Sequence, residues 1–188
     1  MNQKASFSIA LLHYPVYNKK GEVVTTAVTN LDIHDIARTG RTYGARRFFI
    51  ITPLEIQRDF VHRILAHWRQ GYGASYNPAR KEAFDIVRVQ PSLEAARNAI
   101  AVESGQHPRL VATSAQEKQG NISFRDLRTA MLEEAGEWLL LFGTGWGIAE
   151  DVLGKCDFLL EPIRGTAGYN HLSVRSAVSI VMDRLAGA

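Results

Sequence analysis

Short apolar runs alternate along the chain with longer segments in which apolar residues recur every three or four positions. Each run predicts a buried strand, because it is too short for a helix. The runs lie at about 6–13, 47–52, 85–89, 109–113, 139–142 and 157–160. The longer segments predict amphipathic helices, which keep their apolar side chains on one face. This alternation predicts an α/β fold with a mostly parallel sheet and helices on both of its faces.

Sequence signals mark the ends of several predicted helices. The first helix covers about 32–43 and ends before Gly44. Pro53 opens the second helix, and Ser92 and Ser123 are suitable N-caps for two later ones. The apolar stripe of the second helix consists of Phe60, Val61, Ile64, Leu65 and Trp68.

The length of 188 residues predicts one domain over 1–188. Residues 69–84 are polar and rich in turn-forming residues, so we expect an excursion from the domain there. No apolar run approaches the roughly 18 residues of a membrane span, and the start predicts a first strand instead of a signal peptide. Cys156 is the only cysteine, and we expect it to be a small buried hydrophobe of a cytoplasmic protein.

Positive charge is concentrated in one part of the chain. The net charge is +3, but residues 38–88 hold ten Lys and Arg against four Asp and Glu, a surplus of +6. Residues 139–165 hold two bases and four acids, a balance of −2. A basic segment beside a non-basic ligand loop predicts a polyanion bound near a small-molecule site. A solvated basic face explains the charge equally well.

Glycine-bearing loops follow the last two predicted strands, which we expect to be neighbours in the sheet. Gly143, Gly145 and Gly147 form the first loop, and Gly165 closes a turn in the second. Open α/β sheets bind ligands in such loops, where glycine permits positive φ and close approach. The missing Gly-Lys-Ser/Thr sequence excludes a P-loop, and a dinucleotide fingerprint fits poorly so late in the chain. Ordinary turns remain the alternative.

Three carboxyl-terminal segments occur in a recognisable order. They are FGTGWGI at 142–148, EPIRG at 161–165 and YNHLSVRSAVSIV at 169–181. Their order and spacing resemble the three signatures of the SPOUT, or α/β-knot, RNA methyltransferases. The usual glutamate of the first signature is missing, and His171 stands where asparagine is usual.

Residues 29–51 resemble the amino-terminal motif of the family's ribose 2′-O branch. Arg38-Thr39 and Tyr43-Gly44 fall at the matching offsets, and Asp32 stands where asparagine is usual. Residues 111–115 also resemble the strand end that begins the family's cofactor pocket.

The resemblance implies a carboxyl-terminal trefoil knot whose loops bind S-adenosylmethionine, without a metal. It also implies a homodimer that methylates a ribose 2′-oxygen or a base nitrogen of tRNA or rRNA. The cofactor-binding residues it implies are Thr113, Ser114, Phe142, Gly143, Thr144, Gly145, Trp146, Gly147, Ile163, Arg164, Gly165, His171 and Leu172.

The resemblance implies Arg38 as a catalytic residue, and Asp32 and His171 are catalytic candidates as alternative bases. A guanidinium is a poor base because its pKa lies above about 12. We therefore expect Arg38 to hold a phosphate and to lower the pKa of the acceptor hydroxyl, with proton abstraction left open. Asp35 and Glu161 are further candidate bases.

Three classes of function are compatible with these observations. The first is a cofactor-dependent RNA methyltransferase, which the motifs favour. The second is an RNA-binding protein that kept the fold and lost catalysis, which the missing glutamate allows. The third is an unrelated α/β enzyme that holds a phosphorylated small molecule in the same glycine loops.

Overall fold

The computed structural model describes residues 6–118 and 120–188, which fold around a sheet of six parallel strands. The strands are β1 (Ser6–Leu12), β2 (Val16–Tyr17), β3 (Val23–Val24), β4 (Phe48–Ile51), β5 (Val87–Gln90), β6 (Arg109–Ala112), β7 (Glu137–Gly143) and β8 (Phe158–Leu159). The sheet has the order β5-β4-β1-β7-β6-β8, while β2 and β3 form a separate antiparallel hairpin.

Eight helices are present in the described part of the chain. They are α1 (Asn30–Thr42), α2 (Glu55–Arg69), α3 (Tyr72–Tyr76), α4 (Pro78–Phe84), α5 (Leu93–Ser104), α6 (Phe124–Glu133), α7 (Glu150–Leu153) and α8 (Val174–Ala186). On one face of the sheet, a core layer includes residues of α1, α2, α4, α6 and α8. On the other face, a second core layer includes residues of α5 and α7. The predicted α/β fold is therefore confirmed.

The central strand β1 shows why the sheet is covered on both sides. Ile9 and Leu11 belong to the first core layer, while Ala10 and Leu12 belong to the second, since successive strand side chains point to opposite faces. Leu12 is in register with Ile51 of β4 and Gly143 of β7. The carboxyl ends of these three strands are therefore level and form one edge.

The helix-end predictions have mixed outcomes. Ser92 and Ser123 are confirmed as N-caps, because their side chains accept the backbone N–H groups three residues later. Pro53 lies outside α2, whose N-cap is Leu54. Including Phe60 in the buried stripe was wrong, because its side chain is 42% exposed.

Contrary to our expectation, the last two strands, β7 and β8, are not neighbours in the sheet. β6 lies between β7 and β8 and pairs with both. The segment that contains α7 therefore crosses over β6 before it forms β8. All three strands run parallel, so their following loops still leave the sheet at the same edge.

The polar segment at about 69–84 folds back onto its neighbours as α3 and α4. A Cβ at Gly73 would lie 2.8 Å from the Trp68 ring, so this glycine allows a close approach of the two segments. Ala83 and Phe84 are buried, and Phe84 joins the first core layer. The segment is thus packed against α1 and α2 instead of extending away from the domain.

Among the described residues, no helix has both the length and the apolar character needed to cross a membrane. The single-domain organisation and the trefoil knot stay predictions.

Candidate cofactor and RNA site

The loops after β6, β7 and β8 meet at the carboxyl edge of the sheet. Lys118 of the first loop forms a 2.7 Å ion pair with Glu150, which follows the second loop. Arg164 of the third loop pairs with Glu117 of the first. The Asn170 amide donates a 2.9 Å hydrogen bond to the Ala115 carbonyl. These contacts bring together the three segments in which the cofactor-binding residues were predicted.

The loop after β7 is held by the end of β1 and by the β2–β3 hairpin. The Thr144 hydroxyl donates to the Leu12 carbonyl at 3.0 Å, and the Trp146 backbone N–H donates to the Tyr17 carbonyl at 2.9 Å. Gly145 has φ of +59°, and a Cβ there would lie 2.8 Å from the Tyr17 oxygen. Contact with the hairpin is therefore enough to require glycine at this position.

The predicted residues around the end of β6 have structural partners. The Thr113 hydroxyl donates to the Leu141 carbonyl at 2.9 Å and ties β6 to β7. The Ser114 hydroxyl accepts the Gln116 N–H at 3.0 Å and shapes the following turn. Phe142 is only 1% exposed and lies in the core, so it anchors the start of the loop after β7.

Neutral groups at this edge fit an adenosyl group. Trp146 and Leu172 expose 61% and 45% of their surface, and Ile163 is half-buried against the core. Apolar side chains of this kind cover a planar base, while loop amides and carbonyls recognise its polar edge. A Cβ at Gly165 would meet no atom within 4 Å, so its backbone is accessible to a ligand. The residues present thus fit the cofactor that the motifs imply.

The three predicted catalytic residues have different surroundings. Arg38 is exposed on α1, one helical turn from His34. Asp32 is 9% exposed; its Oδ2 accepts the Thr29 hydroxyl at 2.6 Å, and its Oδ1 lies 3.6 Å from Nε of Arg175. Asp32 is therefore a structural anchor whatever its chemical role.

His171 lies in the segment before α8, where it is exposed and packs edge-on against the Tyr169 ring at 5.3 Å. The two further candidate bases have partners. Asp35 lies 3.6 Å from the Arg175 guanidinium, and Glu161 accepts the Phe124 N–H at 2.7 Å, which caps α6. Of the candidate bases, His171 therefore has the freest access to a substrate.

A buried histidine connects the end of β1, through Thr26, to the loop after β7. His13 follows β1 and is fully buried, with Nδ1 3.1 Å from the Thr26 hydroxyl, which in turn contacts Thr144. Burial lowers the pKa of His13 to about 4, although the charge of Asp32 raises it in part. Its Nε2 has no hydrogen-bond partner among residues 6–118 and 120–188. The signal for this residue was its place at the end of the first predicted strand.

Several of the basic residues at 38–88 bind partners within the protein. Arg47 is 2% exposed and pairs with Glu103 and with the buried Glu137. Arg69 donates to the Phe84 and Val87 carbonyls at 2.6 Å, and Arg58 donates to the Thr52 carbonyl at 3.1 Å. The segment is therefore not one continuous basic face. Its exposed side chains include Arg38, Arg63 and Lys81.

Nucleophilic and metal chemistry have little support in the described residues. Cys156 packs against the second core layer, and burial raises the pKa of its thiol to about 11, so the reactive thiolate is disfavoured at neutral pH. Within 6–118 and 120–188, no three His, Cys, Asp or Glu side chains are grouped as metal ligands.

Several known proteins are similar to this chain in sequence. A family model described as SAM-dependent RNA methyltransferase matches residues 6–187. A tRNA (guanine-N(1)-)-methyltransferase of Oleidesulfovibrio alaskensis is 46% identical over 95% of this chain, which spans only 41% of that protein. An uncharacterized protein of Aquifex aeolicus is 40% identical over 94% of this chain and 86% of its own length.

Solved structures share the fold at low sequence identity. TrmJ from Z. mobilis ZM4 superposes with a TM-score of 0.63 at 16% identity, covering 97% of this chain and 69% of that one. The SpoU methyltransferase AviRb from Streptomyces viridochromogenes, in complex with AdoMet, superposes with a TM-score of 0.59 at 15% identity. The match covers 97% of this chain and 58% of that one. A structure described as giving structural insights into the 2-OH methylation of C/U34 on tRNA superposes with a TM-score of 0.54 at 21% identity. The match covers 98% of this chain and 99% of that one. These neighbours confirm the SPOUT fold class.

Proposed function

The chain belongs to the family of SAM-dependent RNA methyltransferases, and we propose that it methylates the ribose 2′-hydroxyl of a tRNA nucleotide. The observation that carries the proposal is the meeting of three loops at one sheet edge, because that edge also holds the start of α1. Cofactor loops and an exposed α1 arginine then face the same substrate. The resemblance of residues 29–51 to the ribose 2′-O motif supports the choice of acceptor.

The cofactor supplies an electrophilic methyl group on a sulfonium. The protein therefore needs to align the acceptor oxygen more than to activate the donor, and alignment supplies roughly 7–11 kcal/mol in favourable cases. Backbone groups of 143–147 and 163–165 would hold the adenosyl group, with Leu172 and Trp146 against it. Thr113 and Thr144 fix the loop ends from which those groups project.

On the acceptor side, Arg38 binds the RNA. Its exposed guanidinium suits a phosphate or ribose oxygen, because it offers several donors in a rigid fork. A cation at this place also favours the alkoxide form of the hydroxyl. His171 is exposed and accepts the proton in this scheme. Asp32 holds α1 to α8, and its assignment as a base stays a prediction.

A base nitrogen of tRNA is the second candidate acceptor. Relatives named tRNA (guanine-N(1)-)-methyltransferase are 46% and 48% identical to this chain. The chain spans 41% of the length of each, so their named activity need not belong to the part that this chain matches. The ribose motif lies within the matched part, which favours the ribose.

The proposal includes a cytoplasmic homodimer. A two-fold dimer is the commonest arrangement of soluble oligomers. Leu31 on α1 exposes 59% of its surface near the proposed site, which suits coverage by a second subunit. Sedimentation equilibrium measures the assembly, and a monomer at all accessible concentrations would remove this part of the proposal.

The test is transfer of a labelled methyl group from S-adenosylmethionine to tRNA from cells that lack the protein. Digestion to nucleosides should yield a labelled 2′-O-methylnucleoside, and the linkage after it should resist alkali. Label on a base would select the second candidate. Cofactor binding without transfer would favour a catalytically inactive RNA-binding protein, and absence of cofactor binding would favour an α/β enzyme of another kind.

A further inference from the structure

An open cleft of about 640 Å³ separates α1 from α2. It is lined by Asn30 and His34 of α1 and by Phe60, Arg63, Ile64, His67 and Trp68 of α2. The cofactor loops contribute no residue to this lining. The cleft is therefore a feature separate from the site described above.

Aromatic rings form much of the cleft wall. The Trp68 ring packs edge-on against His34 at 5.3 Å and against His67 at 5.1 Å. Phe60 adds a ring that is 42% exposed. Rings that are fixed by their neighbours and open on one side suit stacking by a planar ligand.

Two arginines lie beside these rings. Arg80 lies over the Trp68 ring, with Cζ 5.1 Å from the ring centroid, and its guanidinium donates to Nδ1 of His34. Arg63 is an exposed member of the lining. Burial lowers the pKa of His34, and the positive charges of Arg80 and Arg38 lower it further, while the negative charge of Asp35 raises it in part. The imidazole is therefore neutral at neutral pH. The cleft thus combines a neutral aromatic wall with a cationic rim.

We propose that this cleft binds an unstacked base of the RNA beside the nucleotide that Arg38 holds. Single-stranded RNA is recognised by aromatic rings that stack on bases and by cations that hold the adjoining phosphates. Arg38 lies one turn from His34 on α1, which places the cleft next to the proposed acceptor position. This inference rests on the proposed function, because it takes the RNA to be the substrate.

A second copy of the chain fits the cleft less well. A two-fold interface brings the same patch of both subunits together. Arg63 and Arg80 would then approach their own copies, and like charges repel across an interface. RNA supplies the opposite charge, so we assign the cleft to RNA.

The experiment compares Phe60→Ala and Arg63→Ala with Ile56→Ala. Ile56 is 79% exposed on the same helix but does not line the cleft, so it is the matched control. The probe is a fluorescently labelled oligoadenylate, and anisotropy measures its affinity. Loss of one stacked base weakens binding by roughly five- to hundredfold. We expect that loss for Phe60→Ala, a smaller one for Arg63→Ala, and unchanged affinity for Ile56→Ala.

Unchanged RNA affinity in both cleft variants would overturn the inference. Dissociation of a dimer by Phe60→Ala, with no loss of RNA affinity per subunit, would assign the cleft to a second copy instead. Cofactor affinity should be the same in all four proteins. If Phe60→Ala weakens RNA binding while the wild type transfers no methyl group, the cleft stands and the proposed function fails.

Discussion

Asp32 of α1 and Arg175 of α8 form an ion pair across the interface of these helices, with Oδ1 3.6 Å from Nε. Further along the same interface, the Thr39 and Ser179 hydroxyls lie 3.1 Å apart, and the Tyr43 hydroxyl donates to Asp183 at 2.9 Å. The motif helix is therefore fastened along its length to the last helix of the chain. This geometry positions Arg38, which projects from α1, relative to the loops that precede α8.

Asp32→Ala should lower the free energy of unfolding by about 2 kcal/mol, because it leaves Arg175 without its most buried partner and removes the acceptor for Thr29. Asp35→Ala is the matched control, since Asp35 is more exposed and should cost less than about 1 kcal/mol. Urea unfolding measures both values. If Asp32 were a base, Asp32→Asn would abolish turnover in protein that is fully folded, and single-turnover assays on folded fractions separate the two roles.

Gly145→Ala should damage the cofactor site through the fold. The new Cβ would meet the Tyr17 carbonyl at 2.8 Å, and φ of +59° strains any residue that has a Cβ. We expect a loss of about 1–3 kcal/mol in the free energy of unfolding together with weaker cofactor binding.

Gly165→Ala separates ligand contact from strain. A Cβ there meets no protein atom within 4 Å, so stability should change by less than about 0.5 kcal/mol. Calorimetry should show weaker binding of S-adenosylmethionine if the ligand approaches this backbone. Wild-type affinity in Gly165→Ala would remove Gly165 from the cofactor site.

His13 should make the protein sensitive to mild acid. The pKa of His13 is about 4 in the folded chain, below its ordinary value of 6.5, so the unfolded chain binds more protons between these two values. Above pH 6.5, His13 should not change the free energy of unfolding with pH. That free energy should fall by about 3 kcal/mol as the pH drops to 4.

His13→Asn should flatten that part of the stability curve, since asparagine does not titrate. Urea unfolding at several pH values between 4 and 7 measures the slope. His107→Asn is the control, because His107 is exposed and its replacement should leave the slope as it is in the wild type. An equal slope in His13→Asn and the wild type would contradict a neutral buried imidazole.

The apolar runs were sufficient to predict the sheet, because all residues of β4 and six of the seven in β7 are buried and their sequences are almost wholly apolar. The hairpin β2–β3 escaped prediction because two-residue strands have no periodicity. It matters to the site, since the Tyr17 carbonyl fixes the loop around Gly145. Strand order also depends on pairing between distant segments, which a local pattern does not contain.

The charge pattern was informative only in part. A count of arginines does not distinguish Arg47, buried between two glutamates, from the exposed Arg63. The motif offsets indicated the α1 positions of Asp32 and Arg38, but the burial of one and the exposure of the other depend on how α8 packs. The role of His13 likewise depends on Thr26, which belongs to none of the motifs that were recognised.

Arg38 is the residue whose replacement should separate RNA binding from cofactor binding. Arg38→Ala should reduce single-turnover methylation by at least about tenfold, because loss of one charged hydrogen bond costs roughly 1.5–3 kcal/mol. Cofactor affinity and the melting temperature should stay close to the wild type, since Arg38 is an exposed side chain of α1 and belongs to none of the three loops. Arg38→Lys should restore little activity if two oxygens are held by the guanidinium fork.

The matched control for Arg38 is Arg41→Ala on the same helix. Arg41 is also exposed, but it pairs with Glu82 of α4 and so has a partner within the protein. Its replacement should leave methyl transfer at the wild-type rate and change stability by less than about 1 kcal/mol. Equal losses of activity in the two variants would indicate a general effect of positive charge on RNA affinity, which saturating RNA would then restore. Wild-type turnover in Arg38→Ala would exclude Arg38 from the site and leave His171 as the first residue to replace.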